Sequence, residues 1–458
     1  MNAAEVEKQL EICLGESGIP VGTLWFPTQG SRAYSVFQYG ESWLTHPRRF
    51  AIAPDLPLIP DRQFFRKAQG VDQASALPPA LADTVPDLWG RRLLQAMARA
   101  NHDGSLSEVD YLVAVDDASR MGALRLRVGP GSPFLTDRSR DRPAIPPILH
   151  IDVLTRDIAQ IERDHPDRET LARLAGVGSS LGGARPKCSV IDTDGSLAVA
   201  KFTSRHDTHA VEKAEVLTLL LARECGLDIP DARLVYSGGA AVAILRRFDR
   251  RPPGRKHGIS GESSGRIPYL SAQSFLNLPV ATGGTYVDFA DQLRQYAERP
   301  ENALRDLFSR VSFSILVSNT DDHLKNHGLL YRGQGKWYLA PLFDVNPSPE
   351  RERRLKTAIA DQAEPDASTE LLLEHAEFFG LSRDDAQSLV GGQARVLRER
   401  WKILGRDLGM TSKELREYSP AFEHRDSAWA LRLNASHSIP TDPHHSRDSD
   451  AFRMRRHP

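Results

Sequence analysis

Residues 186–202, PKCSVIDTDGSLAVAKF, restrict the fold more tightly than any other stretch of the chain. Two apolar, β-branched runs flank Asp194-Gly195, a pair favoured in hairpin turns because glycine takes positive φ without steric cost. The second run ends in Lys201, an isolated cation in an apolar strand. Burying an unpaired ammonium is costly, so an acidic partner is expected. The following segment, 209–225, sets Ala210, Ala214, Leu217 and Leu221 at helical spacing and offers Glu215, with Glu212 one turn earlier as the alternative. A further strand, AAVAILRRF at 240–248, completes the order strand, strand, helix, strand.

Around this unit the chain divides by pattern. Residues 21–52, containing VGTLWF, YSVFQY and SWLTHPRRFAIA, read as a small sheet, and PDLWGRRLLQAMAR at 86–99 reads as a helix. DRSRDRPAIPPI at 137–148 is the best linker, residues 151–175 are helical in pattern, and 251–265 is loop. From there to about residue 424 the pattern is mainly helical. Lys plus Arg (59) nearly balance Asp plus Glu (60), so no overall field favours nucleic acid or an anionic membrane. Cys13, Cys188 and Cys225 are too scattered for a disulfide framework or a CxxC zinc site. The acidic N-terminus lacks the form of a secretory signal, no apolar run reaches 18 residues, and a cytoplasmic location is expected.

Residues 318–331, SNTDDHLKNHGLLY, concentrate polar chemistry between apolar stretches. Asp321 precedes Asn326 by five residues, and Asp344 follows in LFDVNP after a strand pair, LLYRGQGKWYLA. Phosphoryl-transfer sites of protein kinases use an Asp to orient the acceptor hydroxyl, an Asn five residues on to bind metal, and a later Asp to bridge Mg²⁺ to the ATP phosphates. Carboxylate and amide oxygens are hard ligands suited to that ion. The preceding helix, with Leu304, Leu307, Phe308, Val311 and Ile315 on one face, is expected to hold the loop rigidly. His323 and His327 form HxxxH, but Asn326-His327-Gly328 reads as a turn into a strand, which argues against a zinc helix.

GVGSSLGGARPK, 176–187, opens into the hairpin, and its backbone N–H groups are suited to phosphate oxygens. It is not a Walker A sequence, because Ala184 stands where that motif requires Lys.

Taken in order, SLGGARPK, AVAKF, the helix from Glu215 through LLLARECGL, RRFDR, NTDDHLKNHG and LFDVNP, with VGTLWF, YSVFQY and PDLWGRRLL upstream, resemble the HipA-like serine/threonine kinases. These are the toxin halves of bacterial toxin–antitoxin pairs, and the resemblance runs over about residues 20–420. It implies an α+β, two-lobed protein-kinase-like fold: an N-terminal β-rich subdomain (1–145), an N-lobe with the Gly-rich loop (146–255) and a helical C-lobe (256–425). Residues 426–458 are expected to form a disordered tail.

The same resemblance implies ATP and Mg²⁺ between the lobes. Asp321 takes the catalytic position, Lys201 with Glu215 the phosphate-binding lysine pair, and Asn326 and Asp344 the magnesium positions. Ser180, Gly182, Gly183, Ala184 and Lys187 fall on the nucleotide loop, and backbone groups of Arg246 and Phe248 fall at the adenine, with Arg246 where relatives often carry Glu. Ser180, with Ser179 beside it, is the implied autophosphorylation position; about two added negative charges would repel this loop from ATP phosphates. The implied partners are a HipB-like helix-turn-helix antitoxin, operator DNA only through that antitoxin, and a protein substrate, an aminoacyl-tRNA synthetase in the best known relatives. No membrane partner is implied. The rivals are a small-molecule kinase or a pseudokinase-type binding module of the same fold, and a DNA-binding protein acting alone, which neither a basic run nor a convincing helix-turn-helix supports.

Overall fold

The computed structural model describes residues 9–26, 34–67, 75–135, 145–163, 166–178, 182–251, 265–278, 283–350, 352–361 and 367–433. These residues form three antiparallel sheets, helices between and upon them, and a run of helices toward the C-terminal end. The first sheet runs β4-β3-β2-β1-β5, from β1 (Leu10–Leu14), β2 (Ile19–Trp25), β3 (Tyr34–Tyr39), β4 (Gln63–Arg66) and β5 (Leu124–Arg127). It is wider than the sheet expected over 21–52, because β1 pairs with β5, far along the chain. SWLTHPRRFAIA is not strand: Glu41–Leu44 makes one helical turn, and the Trp43 indole packs inward, donating to the Phe50 carbonyl at 3.2 Å. Pro47, with no N–H to give a ladder, suits this irregular path.

The second sheet, order β6-β7-β9-β8, holds the expected hairpin: β6 (Lys187–Ile191) and β7 (Leu197–Phe202), followed by β8 (Ala232–Ser237) and β9 (Ala240–Arg246). Gly195 turns at φ 79°, and the Asp192 amide donates to the Ser196 carbonyl at 2.8 Å. Side chains alternate along β7 with the period of a strand. Ala198, Ala200 and Phe202 share a core with Trp89, Leu93, Leu154, Ile158 and Leu174, drawn from the helices Leu88–Ala100, Ile151–Glu162 and Arg168–Gly178. The last two replace the single helical stretch expected over 151–175, with Pro166 between them. Val199 and Lys201 point the other way, where the helix Val211–Glu224 packs on the sheet.

The third sheet, β10 (Tyr269–Ser271), β11 (Gly328–Gly333) and β12 (Lys336–Leu339), contains the strand pair expected after the polar loop. The helix Pro300–Leu316 leads into that loop and buries Leu304, Leu307, Phe308, Val311 and Ile315, the face its spacing indicated. Packing continues past residue 425: Arg425–Ala430 is helical, and Asp426 accepts a 2.5 Å ion pair from Arg353. Residues 426–433, expected as the start of a tail, are therefore packed instead, and 434–458 lie outside the described residues. Residues 137–144 of the expected linker do too.

The N-terminal region is bound to the end of β9 through buried ions. Arg247 donates to the Ser119 carbonyl at 2.9 Å and pairs with Asp249 at 2.5 Å, while Asp249 accepts from the Gly122 amide at 2.7 Å. Buried charges persist when paired and hydrogen-bonded in this way, and leaving one alone is costly. Among the described residues no helix is long and apolar enough to cross a membrane.

Candidate active site

The β6–β7 register sets Lys187 directly opposite Lys201. Like charges at such a pair repel unless carboxylates or a bound anion intervene. Lys201 reaches the expected Glu215 and a second carboxylate: its ammonium donates to the Glu215 carboxylate and lies 2.8 Å from Asp344 Oδ1. Glu212, the alternative, is engaged elsewhere, accepting from Arg185 at 2.6 Å and from the Thr203 hydroxyl at 3.0 Å. Burial works against the Lys201 charge, but Asp344 and Glu215 outweigh it and hold its pKa above the ordinary value. Burial, reinforced by the Lys201 charge, lowers the Lys187 ammonium to about 8.

Lys187 closes back on the glycine-rich segment, donating to the Gly182 carbonyl at 2.5 Å. Gly183 has φ 90°, a conformation that favours glycine, and a Cβ there would lie 2.5 Å from Lys187 Nζ, displacing the end of that side chain. Its amide donates to Asp87 Oδ2 at 3.1 Å. Ser179 and Ser180 lie outside the described residues.

In the polar loop the two aspartates differ. Asp321 is exposed, whereas Asp322 is 3% exposed and accepts from the Ser314 hydroxyl at 2.8 Å and the Tyr286 hydroxyl at 3.0 Å, with His327 Nε2 at 3.0 Å. Burial raises the Asp322 carboxyl, but His327 and these hydrogen bonds outweigh it and bring the net shift down. A single 3-10 turn, Leu324–Asn326, then leads into β11, as the turn reading required. Asn326 is buried, its amide donating to the Asp321 carbonyl at 3.4 Å. His323 lines the cleft while His327 sits between Tyr286, Phe289 and Asp322, so the two histidines of HxxxH face different surroundings.

Asp344 sits at φ 56°, a strained left-handed conformation for a non-glycine residue. Its loop is held in place by the Thr218 hydroxyl donating to the Val345 carbonyl at 2.6 Å and by the Asn346 amide donating to Asn319 Oδ1 at 3.2 Å. Burial raises the Asp344 carboxyl, but Lys201 and Lys187 more than compensate and hold it well below the usual range.

One cleft gathers Gly182, Gly183, Lys187, Lys201, Arg246, Phe248, Asn326 and Asp344, with Val199, Leu245 and Phe343 forming apolar wall. Among the residues singled out from sequence, Glu215 lies behind Lys201, Asp321 stands at the exposed start of its loop, and Ala184 is not part of the lining. The Arg246 side chain reaches Asp194 at 2.5 Å and Asp231 at 3.2 Å, and its amide donates to the Asp231 carbonyl at 2.9 Å. Sequence reasoning passed over Asp87, Lys325 and Asn346, and it did not separate Asp322 from Asp321. The Asp322–His327 spacing of five residues was the available signal; Asp87 gave none beyond an ordinary helix start.

A glycine-bearing turn over a lysine strand, a helix glutamate on that lysine, and two polar loops below define a two-lobed protein-kinase-like fold. Two family descriptions match the chain: HipA N-terminal domain over residues 10–127 and HipA-like C-terminal domain over residues 179–401. The chain belongs to the HipA-like family. The serine/threonine-protein kinase toxin HipA of Shewanella oneidensis is 23% identical over 213 residues, covering 41% of this chain and 48% of that protein. The kinase-named Y4mE of Sinorhizobium fredii is 27% identical over 199 residues, covering 39% and 45%. The chain thus spans about half the length of the curated relatives it matches. In fold it resembles a chain of the Shewanella oneidensis HipA, HipB and operator DNA complex, with a TM-score of 0.63 at 18% identity over 90% of this chain and 96% of that one.

Proposed function

We propose that the protein is an ATP-dependent serine/threonine kinase acting as the toxin of a toxin–antitoxin pair. The observation that carries this reading is the pairing of Lys187 and Lys201 across one hairpin, with Glu215 and Asp344 on Lys201. Two cations at adjacent positions of a cleft suit a polyphosphate, and the apolar wall of Val199, Leu245, Phe248 and Phe343 suits a purine. Asn326 and Asp344 present hard oxygens in the same cleft and are the groups that would hold Mg²⁺. That ion supplies charge neutralisation on the phosphates.

In this reading Lys201 binds phosphate and Glu215 holds it in position. The Gly182 to Lys187 segment offers amides and an ammonium above. Asp321, exposed to the acceptor, takes the proton of a serine or threonine hydroxyl as its oxygen bonds to the γ-phosphorus and ADP leaves. The acceptor class is a protein side chain. The likeness to a fold solved with HipB and operator DNA supports a small antitoxin partner.

The test is phosphosite mass spectrometry of the purified protein and its Asp321→Asn variant after incubation with Mg-ATP. Phosphoserine at 179 or 180 in the wild type alone supports the kinase and its self-modification. Equal modification in both points to an outside kinase.

A further inference from the structure

Asp87 precedes the helix Leu88–Ala100 at the position where an aspartate ordinarily accepts from the first amides of its own helix. It makes no such cap. Its carboxylate instead crosses into the cleft, with Oδ1 2.8 Å from Lys325 Nζ and Oδ2 accepting from the Gly183 amide at 3.1 Å. One side chain of the N-terminal region therefore ties the polar loop to the glycine-rich segment. An ammonium together with the amide of a positive-φ glycine is a donor set suited to phosphate oxygens, and a carboxylate competes for the same hydrogens.

The backbone around the contact is fixed independently. The Trp89 indole donates to the Lys187 carbonyl at 2.9 Å and the Trp89 amide to the Gly183 carbonyl at 3.1 Å, so the helix stays on β6 whether or not the Asp87 side chain moves. The pair itself is not sealed, with Asp87 33% and Lys325 29% exposed. A partly exposed pair of this kind separates at small cost.

We propose that the Asp87 carboxylate is a resident stand-in for a nucleotide phosphate oxygen, displaced when ATP enters, and that Lys325 then becomes a phosphate-binding residue. This rests on reading the cleft as an ATP site. Loading the site also releases the tie between the N-terminal region and the polar loop, so the N-terminal surface reports on nucleotide occupancy.

Calorimetric titration of the full chain with Mg-ATP and, separately, with adenosine tests it on the wild type, Asp87→Asn, Asp87→Ser and Lys325→Gln. Asn and Ser both suit the helix start, which protects the fold. Both Asp87 variants should bind Mg-ATP about fivefold more tightly, the upper range for such a pair, with adenosine affinity unchanged. Lys325→Gln should weaken Mg-ATP and leave adenosine unchanged. Unchanged or weaker Mg-ATP binding in the two Asp87 variants overturns the proposal, as does a gain shared equally by adenosine. A wild-type protein that is unphosphorylated at Ser179 and Ser180 and binds neither compound overturns the ATP-site reading itself.

Discussion

Asp321 and Asp322 are adjacent in sequence and opposite in environment: the first is exposed, the second is buried among Ser314, Tyr286 and His327. The proposed catalytic role of Asp321 and the structural role of Asp322 are therefore separable by mutation. Asp321→Asn should leave stability within about 0.5 kcal/mol of wild type while removing phosphoryl transfer. Asp322→Asn should lower stability by about 2–4 kcal/mol, because a buried charged hydrogen-bond network loses its centre. Urea unfolding of the two variants measures the difference, and equal losses would mean that both aspartates are structural.

Lys201 is the counter-ion of two carboxylates, Glu215 and Asp344. Lys201→Met should cost about 3–5 kcal/mol by leaving them unpaired. Adding Glu215→Gln removes one of the stranded charges, so the double variant should regain roughly 1–2 kcal/mol relative to Lys201→Met. Chemical denaturation of the four-protein cycle checks this; strictly additive losses would show that the three groups do not act together.

His424 predicts a pH dependence far from the cleft. Its Nε2 meets the Leu316 carbonyl at 3.0 Å and its Nδ1 accepts from the Ser427 amide at 3.2 Å, an arrangement that needs the neutral ring. Burial, with help from Arg353, lowers its pKa from 6.5 to about 4. Below 6.5 the unfolded chain takes up a proton that the folded chain resists until about 4, so stability falls as pH drops through that window. The loss should reach about 3 kcal/mol near the lower limit. His424→Gln should flatten the slope in melting curves recorded between those pH values.

Short-range pattern was readable and long-range pairing was not. The 186–202 hairpin and the buried face of Pro300–Leu316 follow from periods of 2 and 3.6, which neighbours in sequence carry by themselves. Lys201 found Glu215 because the strand and helix are consecutive. By contrast, β1 and β5 join residues near 12 to residues near 126, and LRLR alone is too short to announce a strand. SWLTHPRRFAIA has strand composition, but it buries Trp43 from a helical turn and Phe50, Ile52 and Ala53 from irregular chain. Asp87 meets groups 96 and 238 residues away, and nothing local distinguishes it from a routine helix cap. Asp322 was hidden by likeness: two aspartates side by side carry the same chemistry until burial divides them.

Under the proposed function, this cleft transfers the ATP γ-phosphate using Asp321 and Asp344. Transfer of label from γ-labelled ATP to protein, measured in the presence of Mg²⁺ for the wild type, Asp321→Asn and Asp344→Asn, tests it most directly. The wild type should become labelled or label an added protein acceptor, and each variant should fall by about a hundredfold or more, with Mg-ATP affinity weakened in Asp344→Asn but largely kept in Asp321→Asn. Variants that both retain most of the wild-type activity would contradict the account.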